Sequence, residues 1–255
     1  MKLRIGYFYP NELNLYGDTG NIEILKYRAE KRGIETEIYQ IGVSEQVSSD
    51  FMSKIDLVFM GGGPDSSQKN MYEDLVFKKR QFLEEYIENG GVGLFICGSY
   101  QLLGQYYKSA DGAILDGLGL VDFYTENFGL EKARCIGNVV CEVAQELRHC
   151  DEFNLNNSIG PSLVGFENHG GRTYLGKNIL PFARIIKGYG NNGEDKTEGI
   201  LYKNIIGSYL HGPILSKNSH LADYLISKSL KLKDLLKLDD SLIINAHTAL
   251  KNIKQ

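Results

Sequence analysis

The sequence has no apolar run long enough to cross a membrane, little excess charge, and only four cysteines among 255 residues. A membrane helix needs about 20 consecutive apolar residues, so no membrane span is expected. A formal net charge of −4 gives no indication of a nucleic-acid or anionic-membrane partner. The cysteines form no CxxC pair and no closely spaced metal cluster, which predicts reduced thiols, no metal site and a cytoplasmic protein. They are Cys97, Cys135, Cys141 and Cys150.

The composition fits a soluble globular protein with a sizeable core. Hydrophobic residues make up 42% of the chain and charged residues 24%. The first ten residues, MKLRIGYFYP, are typical of a β-strand rather than a signal peptide. With no long linker and no internal repeat, we expect one domain over residues 1–255, with its core at about 3–236.

The first half of the sequence alternates strand and helix patterns. Strands are predicted at 3–8, 35–41, 55–60 and 93–96, and helices at 21–31 and 71–89. This order predicts an α/β fold with a mostly parallel sheet flanked by helices on both faces. In the second half we predict short strands at 119–124, 135–143, 163–166, 183–186 and 205–209, a loop at 188–199, a helix at 219–238 and a weakly patterned tail after residue 241.

Cys97 is the most informative residue of the chain. It follows the apolar run 92–96 directly, Gly98 comes next, and a helix-compatible stretch follows at 100–103. This pattern predicts a buried strand, a tight turn and a helix start, with the thiol at the turn. A thiol at such a turn faces the N-terminal end of a helix, which favours the thiolate. The sequence therefore predicts a cysteine nucleophile on an α/β scaffold.

A cysteine nucleophile needs a base and a site for the oxyanion. Of the five histidines, His211 follows a predicted strand and precedes a Gly-Pro turn, which makes it the candidate base. His169 also follows a strand, but we interpret it as structural, and we expect His220 and His247 on the surface. The backbone N–H groups of Gly98 and of the glycines after the strand at 55–60, Gly62 and Gly63, are candidate oxyanion donors.

Three motifs in this order resemble a known family. They are MGGGP at 60–64, CGSYQ at 97–101 and YLHGP at 209–213. Together they resemble the class I glutamine amidotransferases, with their flavodoxin-like fold, in the branch that includes the cobyric acid synthases. Within that branch the resemblance is to the GatD group, the glutaminase subunits of lipid II isoglutaminyl synthase. Supporting stretches lie at 13–21, 117–126, 165–174 and 188–192, so that the resemblance covers about residues 5–230.

The resemblance assigns roles to individual residues. It implies Cys97 as nucleophile, His211 as general base and acid, Gln101 as a contact to bound glutamine, and Arg134 as the holder of the glutamine α-carboxylate. A guanidinium suits that last task because its two parallel N–H groups match a carboxylate.

One position departs from the wider superfamily. Many class I enzymes have His-x-Glu, whose glutamate orients the imidazole, whereas this chain has Pro213 there. We therefore expect a Cys–His dyad or an orienting group from elsewhere. Glu167, Asn168 and Asp18 are the candidates, and the sequence does not choose among them.

The resemblance also implies a reaction and a partner. Cys97 would hydrolyse glutamine through a thioester, and the ammonia would pass to a MurT-like, Mur-ligase-like subunit. That subunit would use ATP and Mg²⁺ to amidate the D-glutamate α-carboxyl of the lipid II stem peptide, in peptidoglycan synthesis. The chain itself has no GxxxxGK[ST] and no strand-linked GxGxxG, so we expect no cofactor on it.

Three other functions remain open at this stage. The glutaminase could serve another acceptor, such as a cobyrinate-type one. A Cys–His peptidase would share the nucleophile turn. A non-catalytic subunit could keep the same fold.

Overall fold

A twisted six-stranded sheet forms the centre of the computed structural model, which describes residues 1–63, 71–154 and 158–253. Pro64, the last residue of the MGGGP motif, lies outside the described residues. The strand order is β13–β14–β4–β3–β1–β2, and every neighbouring pair is parallel except β13–β14. The strands are β1 (Lys2–Phe8), β2 (Glu35–Ile41), β3 (Leu57–Met60), β4 (Val92–Ile96), β13 (Ile200–Tyr202) and β14 (Ile205–Ser208).

Burial of the central strands explains their sequences. Every residue of β3 and β4 is buried, as expected for parallel strands covered on both faces, and this accounts for their continuous apolar runs. All the strands that carry the predicted motifs end at the same edge of this sheet, because they are parallel. The expected α/β architecture with a mostly parallel sheet is confirmed.

Helices connect the strands and form the outer layers. They are α1 (Thr19–Glu30), α2 (Ser49–Met52), α3 (Arg80–Glu88), α4 (Gly98–Leu102), α5 (Ile214–Lys217), α6 (Ser219–Leu230) and α7 (Ser241–Asn252). A π-helical turn, Leu75–Lys79, leads into α3. None of the helices in the described part of the chain is both long and apolar enough to span a bilayer.

Two smaller, mainly antiparallel sheets stand beside the central one. The first has the order β10–β7–β5–β6 and the second β12–β11–β8–β9. Their strands are β5 (Tyr106–Lys108), β6 (Ile114–Asp116), β7 (Phe123–Asn127), β8 (Cys135–Val143), β9 (Ser162–His169), β10 (Gly171–Leu175), β11 (Ala183–Lys187) and β12 (Thr197–Glu198).

Several sequence-based boundaries in the second half are wrong. The strand expected at 119–124 is β7, which begins at Phe123, and the loop expected at 188–199 contains the short strand β12. The helix expected at 219–238 ends at Leu230, because Lys231 adopts a left-handed conformation with φ of 53°. The tail after residue 241 forms a three-turn helix, α7.

His220 and His247 are buried, and the expectation that they lie on the surface is wrong. Each side chain is 2% exposed, and the two rings lie 6.0 Å apart between α6 and α7. His220 Nε2 bonds to the Ser162 carbonyl, and His247 Nε2 lies 3.2 Å from the Ser162 hydroxyl. Burial lowers the pKa of both imidazoles, to about 3 for His220, so they stay neutral and pack like apolar rings.

Arg28, a buried residue of α1, forms ion pairs with the C-terminal part of the chain. Arg28 is 1% exposed and bonds both oxygens of Asp223 on α6 and both oxygens of Asp240, which precedes α7, at 2.6 to 2.9 Å. Arg32 also bonds Asp223, at 2.8 Å, so that loss of Arg28 would remove the ion pair of Asp240 and leave Asp223 with one guanidinium. Breaking such a cluster is costly, because a partly buried charge loses its partner.

We expect Arg28→Ala to lower the free energy of unfolding by about 3 kcal/mol, since Asp240 loses both its bonds to Arg28 and Asp223 keeps only Arg32. Urea denaturation of both proteins measures this loss. Arg4→Ala is the matched control: Arg4 pairs with Asp56 at 3.7 Å and is 39% exposed, so less than about 1 kcal/mol is expected there. Equal losses of unfolding free energy in the two variants would show that the Arg28 cluster stabilises the fold no more than the Arg4–Asp56 pair does.

Candidate active site

Cys97 lies at a strained turn between β4 and α4, as the sequence predicts. Its φ of 52° and ψ of −106° are unusual for a residue with a side chain, and its surface is 8% exposed. The turn is held on both sides: the Cys97 N–H donates to the Ser208 carbonyl, and the Ser99 hydroxyl accepts from the Ile96 N–H and donates to the Met60 carbonyl. The surrounding bonds therefore fix the thiol at the carboxyl edge of the central sheet.

His211 is brought to the same edge by β14 and β9. Its backbone exchanges two hydrogen bonds with Phe166 of β9, at 2.8 and 3.2 Å, just after β14 ends. A buried carboxylate, Glu198, holds the preceding residues by accepting from the Ser208 hydroxyl and the Tyr209 N–H. His211 is 1% exposed, so its position depends on these backbone contacts and not on solvent.

Gly62 lies between the two candidate catalytic side chains. A Cβ atom on Gly62 would come within 2.9 Å of the Cys97 Cβ and 3.1 Å of the His211 Cε1. A side chain at this position would therefore push the thiol and the imidazole apart. Gly62, in the glycine motif after β3, thus lies against Cys97.

Asp18 supports both the histidine and the glycine motif. Its Oδ1 lies 3.4 Å from His211 Nδ1, and its Oδ2 accepts the Gly62 N–H at 2.8 Å. Asp18 is completely buried. Of the three candidate orienting groups, it is the one that contacts the imidazole.

The other two candidates bond elsewhere. Glu167 accepts the N–H groups of Tyr189 and Gly190 and so anchors the loop after β11. Asn168 bonds to Arg134 and to Tyr16. His169, interpreted from the sequence as structural, stacks on the Tyr209 ring at 3.7 Å and bonds the Gly171 carbonyl.

The charges around His211 favour its protonated form. Burial alone lowers the pKa of the imidazole, but hydrogen bonding to Asp18 and Cys97 and the negative charges of both groups outweigh it and raise the pKa to about 10. A positively charged imidazole beside Cys97 in turn stabilises a thiolate.

The three remaining cysteines have environments that oppose ionisation. Burial raises the pKa of Cys135 to about 12 and that of Cys141 well above its usual value. Burial and the charge of Glu152 raise the pKa of Cys150. All four cysteines are free thiols. Cys97, in contrast, is hydrogen-bonded to a protonated imidazole, that of His211, and is therefore the candidate nucleophile.

Gln101 and Arg134 approach the same turn, Gly170–Gly171, between β9 and β10. A Cβ atom on Gly171 would lie 2.6 Å from Gln101 Nε2, and one on Gly170 would lie 3.1 Å from Arg134 Nη1. Gln101 is 5% exposed and donates to the Tyr209 hydroxyl at 3.1 Å. Arg134 is exposed and bonds the Asn168 side chain and carbonyl.

Sequence reasoning missed two residues that build the site. Tyr16 covers His211 with its ring, and Glu198 holds the strand that delivers His211. Burial raises the pKa of Glu198 to about 7. A lone tyrosine and a lone glutamate in polar stretches carry no pattern that could have identified them. Within the described ranges, no group of three or more His, Cys, Asp or Glu side chains is placed to bind a metal ion.

Comparison with known proteins identifies the family of this chain. Residues 4–219 match the CobB/CobQ-like glutamine amidotransferase domain. The chain is 44% identical to the lipid II isoglutaminyl synthase (glutamine-hydrolyzing) subunit GatD of Staphylococcus aureus, over 91% of this chain and 86% of that protein. It is 40% identical to the subunit of the same name from Streptococcus pneumoniae, over 91% of this chain and 82% of that one.

A solved structure shows the same fold at low sequence identity. The glutaminase domain of Trypanosoma brucei CTPS, with bound acivicin, superposes with a TM-score of 0.58 at 10% identity, covering 92% of this chain and 98% of that one. The fold, the matched domain and the two relatives lead to one assignment. The chain belongs to the CobB/CobQ-like glutamine amidotransferase family, together with the two GatD subunits.

Proposed function

We propose that this chain is the glutaminase subunit of a lipid II isoglutaminyl synthase and works through a thioester on Cys97. The observation that carries the proposal is the buried arrangement of Cys97, His211 and Asp18 at the carboxyl edge of the sheet. The two GatD relatives, which match over nearly the whole chain, support the acceptor.

In the first half-reaction the Cys97 thiolate attacks the side-chain amide carbon of glutamine. His211 donates its proton to the departing nitrogen. Ammonia is released, and the glutamyl group stays on Cys97 as a γ-glutamyl thioester. The neutral imidazole then takes a proton from water, hydroxide adds to the thioester, and glutamate leaves as the thiolate re-forms. The sum is glutamine plus water giving glutamate plus ammonia.

Both steps place negative charge on the carbonyl oxygen, which needs N–H donors. We assign one of them to Gly98; Gly63, the candidate that the sequence offers after β3, stays a prediction for the second. Gly98 is the first residue of α4, so no carbonyl of that helix accepts its N–H. Gly62 was a third candidate from the sequence. Since its N–H donates to Asp18, we assign Gly62 the role of leaving space between thiol and imidazole.

Many class I enzymes have an orienting glutamate at the position that Pro213 occupies here. In this chain Asp18 performs that role. Its carboxylate fixes the orientation of His211 and stabilises the imidazolium that the reaction needs. Arg134 receives the α-carboxylate of glutamine, and Gln101, which approaches the neighbouring glycine Gly171, contacts the bound glutamine.

The ammonia passes to a MurT-like ligase subunit, with which the chain forms a heterodimer in the cytoplasm. That partner binds ATP and Mg²⁺ and activates the D-glutamate α-carboxyl of the lipid II stem peptide. Amidation of that carboxyl is a step in peptidoglycan synthesis and so affects cell shape.

The test uses the chain co-expressed with the Mur-ligase-like partner, ATP, Mg²⁺, lipid II and glutamine labelled with ¹⁵N in its side-chain amide. We expect the label in one new amide of the stem peptide, detected by mass spectrometry. Glutamine hydrolysis without labelled lipid II would overturn the acceptor, and no hydrolysis even with the partner would overturn the glutaminase role.

Cys97→Ala is the control for this experiment. It should stop transfer from glutamine, while a high concentration of ammonium salt restores amidation, because the partner then uses ammonia directly. Failure of ammonium to restore amidation would show that the variant disturbs the partner and not only the nucleophile.

A further inference from the structure

Tyr16 occupies an unusual backbone conformation at the mouth of the site. Its φ is 60° and its ψ 21°, in the left-handed region that a tyrosine rarely adopts. The residues around it hold the conformation. Leu15 N–H donates to the Gly62 carbonyl, Thr19 N–H donates to the Asn14 side chain, and Asp18 binds Gly62. The chain therefore retains a strained residue at one defined place, next to the catalytic pair.

The strained backbone places the Tyr16 ring over His211. The two ring centroids are 4.7 Å apart with an interplanar angle of 59°. Tyr16 is 40% exposed, whereas His211 is 1% exposed. The tyrosine ring thus stands between the imidazole and solvent on this side, and it limits the movement of the imidazole.

The hydroxyl of Tyr16 faces the other half of the site. It accepts a hydrogen bond from Asn168 Nδ2 at 2.6 Å. Asn168 Oδ1 in turn accepts from Arg134 Nε at 3.2 Å and from Nη2 at 3.0 Å. A guanidinium has only donors, so the amide must present its oxygen to Arg134 and its nitrogen to Tyr16. Arg134 therefore fixes which way the amide points, and the Tyr16 hydroxyl, by accepting from the amide nitrogen, holds the Asn168 side chain in that place.

We propose that Tyr16 is a positioning residue with two separable tasks: its ring holds and shields His211, and its hydroxyl, through Asn168, holds Arg134 ready for the substrate carboxylate. The inference rests on the roles proposed above for His211 and Arg134. It adds a residue that connects the group acting on the glutamine amide with the group binding the glutamine carboxylate.

Two substitutions separate the tasks. Tyr16→Phe keeps the ring and removes the hydroxyl, so we expect KM for glutamine to rise about 3- to 10-fold, the effect of one hydrogen bond, with kcat within about twofold. Tyr16→Ala removes both the ring and the hydroxyl, so kcat should also fall by about 10-fold. Iodoacetamide should alkylate Cys97 several-fold faster in this variant, because the ring no longer covers the site.

Steady-state glutaminase kinetics give KM and kcat. Protection of Cys97 from iodoacetamide by increasing glutamine gives a second, independent comparison of how the variants bind glutamine. Tyr27→Phe is the matched control, because Tyr27 is a half-exposed tyrosine of α1, and its kinetics should equal those of the unaltered chain. Thermal denaturation checks that each variant is folded.

A double variant tests the route through the amide. Asn168→Leu should raise KM at least as much as Tyr16→Phe, and adding Tyr16→Phe to it should change KM no further, since the two act on one arginine. Unchanged KM in Tyr16→Phe, equal loss of kcat in Tyr16→Phe and Tyr16→Ala, or additive effects in the double variant would each overturn the inference. If Cys97→Ala still hydrolyses glutamine, it is the proposed function that fails.

Discussion

Replacement of Cys97 by alanine is expected to reduce ammonia release from glutamine by about 10⁴-fold or more, to the uncatalysed background. The variant loses the atom that forms the thioester, and no other thiol can take its place. Cys135 and Cys141 are buried with raised pKa values, and Cys150 lies near Glu152, whose charge opposes its ionisation. A coupled glutamate dehydrogenase assay measures the loss.

Cys150→Ala is the matched control for this prediction. Cys150 is the other cysteine that is not fully buried, and we expect its variant to hydrolyse glutamine at the unaltered rate. Cys97→Ser is informative as well: its hydroxyl fits the turn but is a far weaker nucleophile than a thiol, so activity should stay at background. Retention of more than a few per cent of activity in Cys97→Ala would contradict the role of this thiol.

Replacement of Asp18 by asparagine should lower kcat by about 10² to 10⁴-fold while the protein stays folded. Asparagine still offers an oxygen to the Gly62 N–H, so the glycine turn keeps its bond, but the charge facing His211 Nδ1 is lost. Asp50→Asn is the control, because Asp50 lies on the surface in an exposed pair with Lys54. Its kcat should not change.

The pH dependence gives a second readout for Asp18. The pKa of His211 is raised from 6.5 to about 10, so the stabilisation from its charged form is complete below about pH 6.5 and is lost as the pH rises towards 10. Asp18→Asn removes one cause of the raised pKa. The stabilisation from the charged imidazole should then be lost at lower pH. The shift should be visible in the pH dependence of both the free energy of unfolding and the rate of Cys97 alkylation. An unchanged profile would show that Asp18 does not act on the imidazole charge.

The sequence predicted the first half of the fold well for a physical reason. Strands such as 57–60 and 92–96 are buried on both faces and read as continuous apolar runs, and glycines mark where they end. The turn at Cys97 follows from the same pattern, because a strand, a glycine and a helix start are adjacent in the chain.

The second half was harder because its strands are short and pair with distant partners. β10 and β7, for example, pair residues 171–175 with 123–127, and both are partly polar. The buried histidines of α6 and α7 were missed because their partners, the Ser162 carbonyl and hydroxyl, lie far away in sequence. Local patterns contain no information on such contacts.

The candidate site also shows that local sequence patterns do not report contacts between distant parts of the chain. Cys97, His211 and the glycines could be proposed from the sequence because each stands at a strand end in a recognisable motif. Asp18 could be named only as one of three candidates, since its contact with His211 joins positions 193 residues apart. Tyr16 and Glu198 act on His211 through tertiary contacts that no spacing in the sequence reports.

The most direct test of the account is to trap the intermediate. The chain is mixed with glutamine, quenched in acid within the first turnover, digested and analysed by mass spectrometry. We predict a γ-glutamyl adduct on the peptide that contains Cys97, absent from Cys97→Ala and increased in Asp18→Asn if hydrolysis of the thioester slows more than its formation. Release of glutamate with no adduct on Cys97, or with the adduct on another cysteine, would contradict the account.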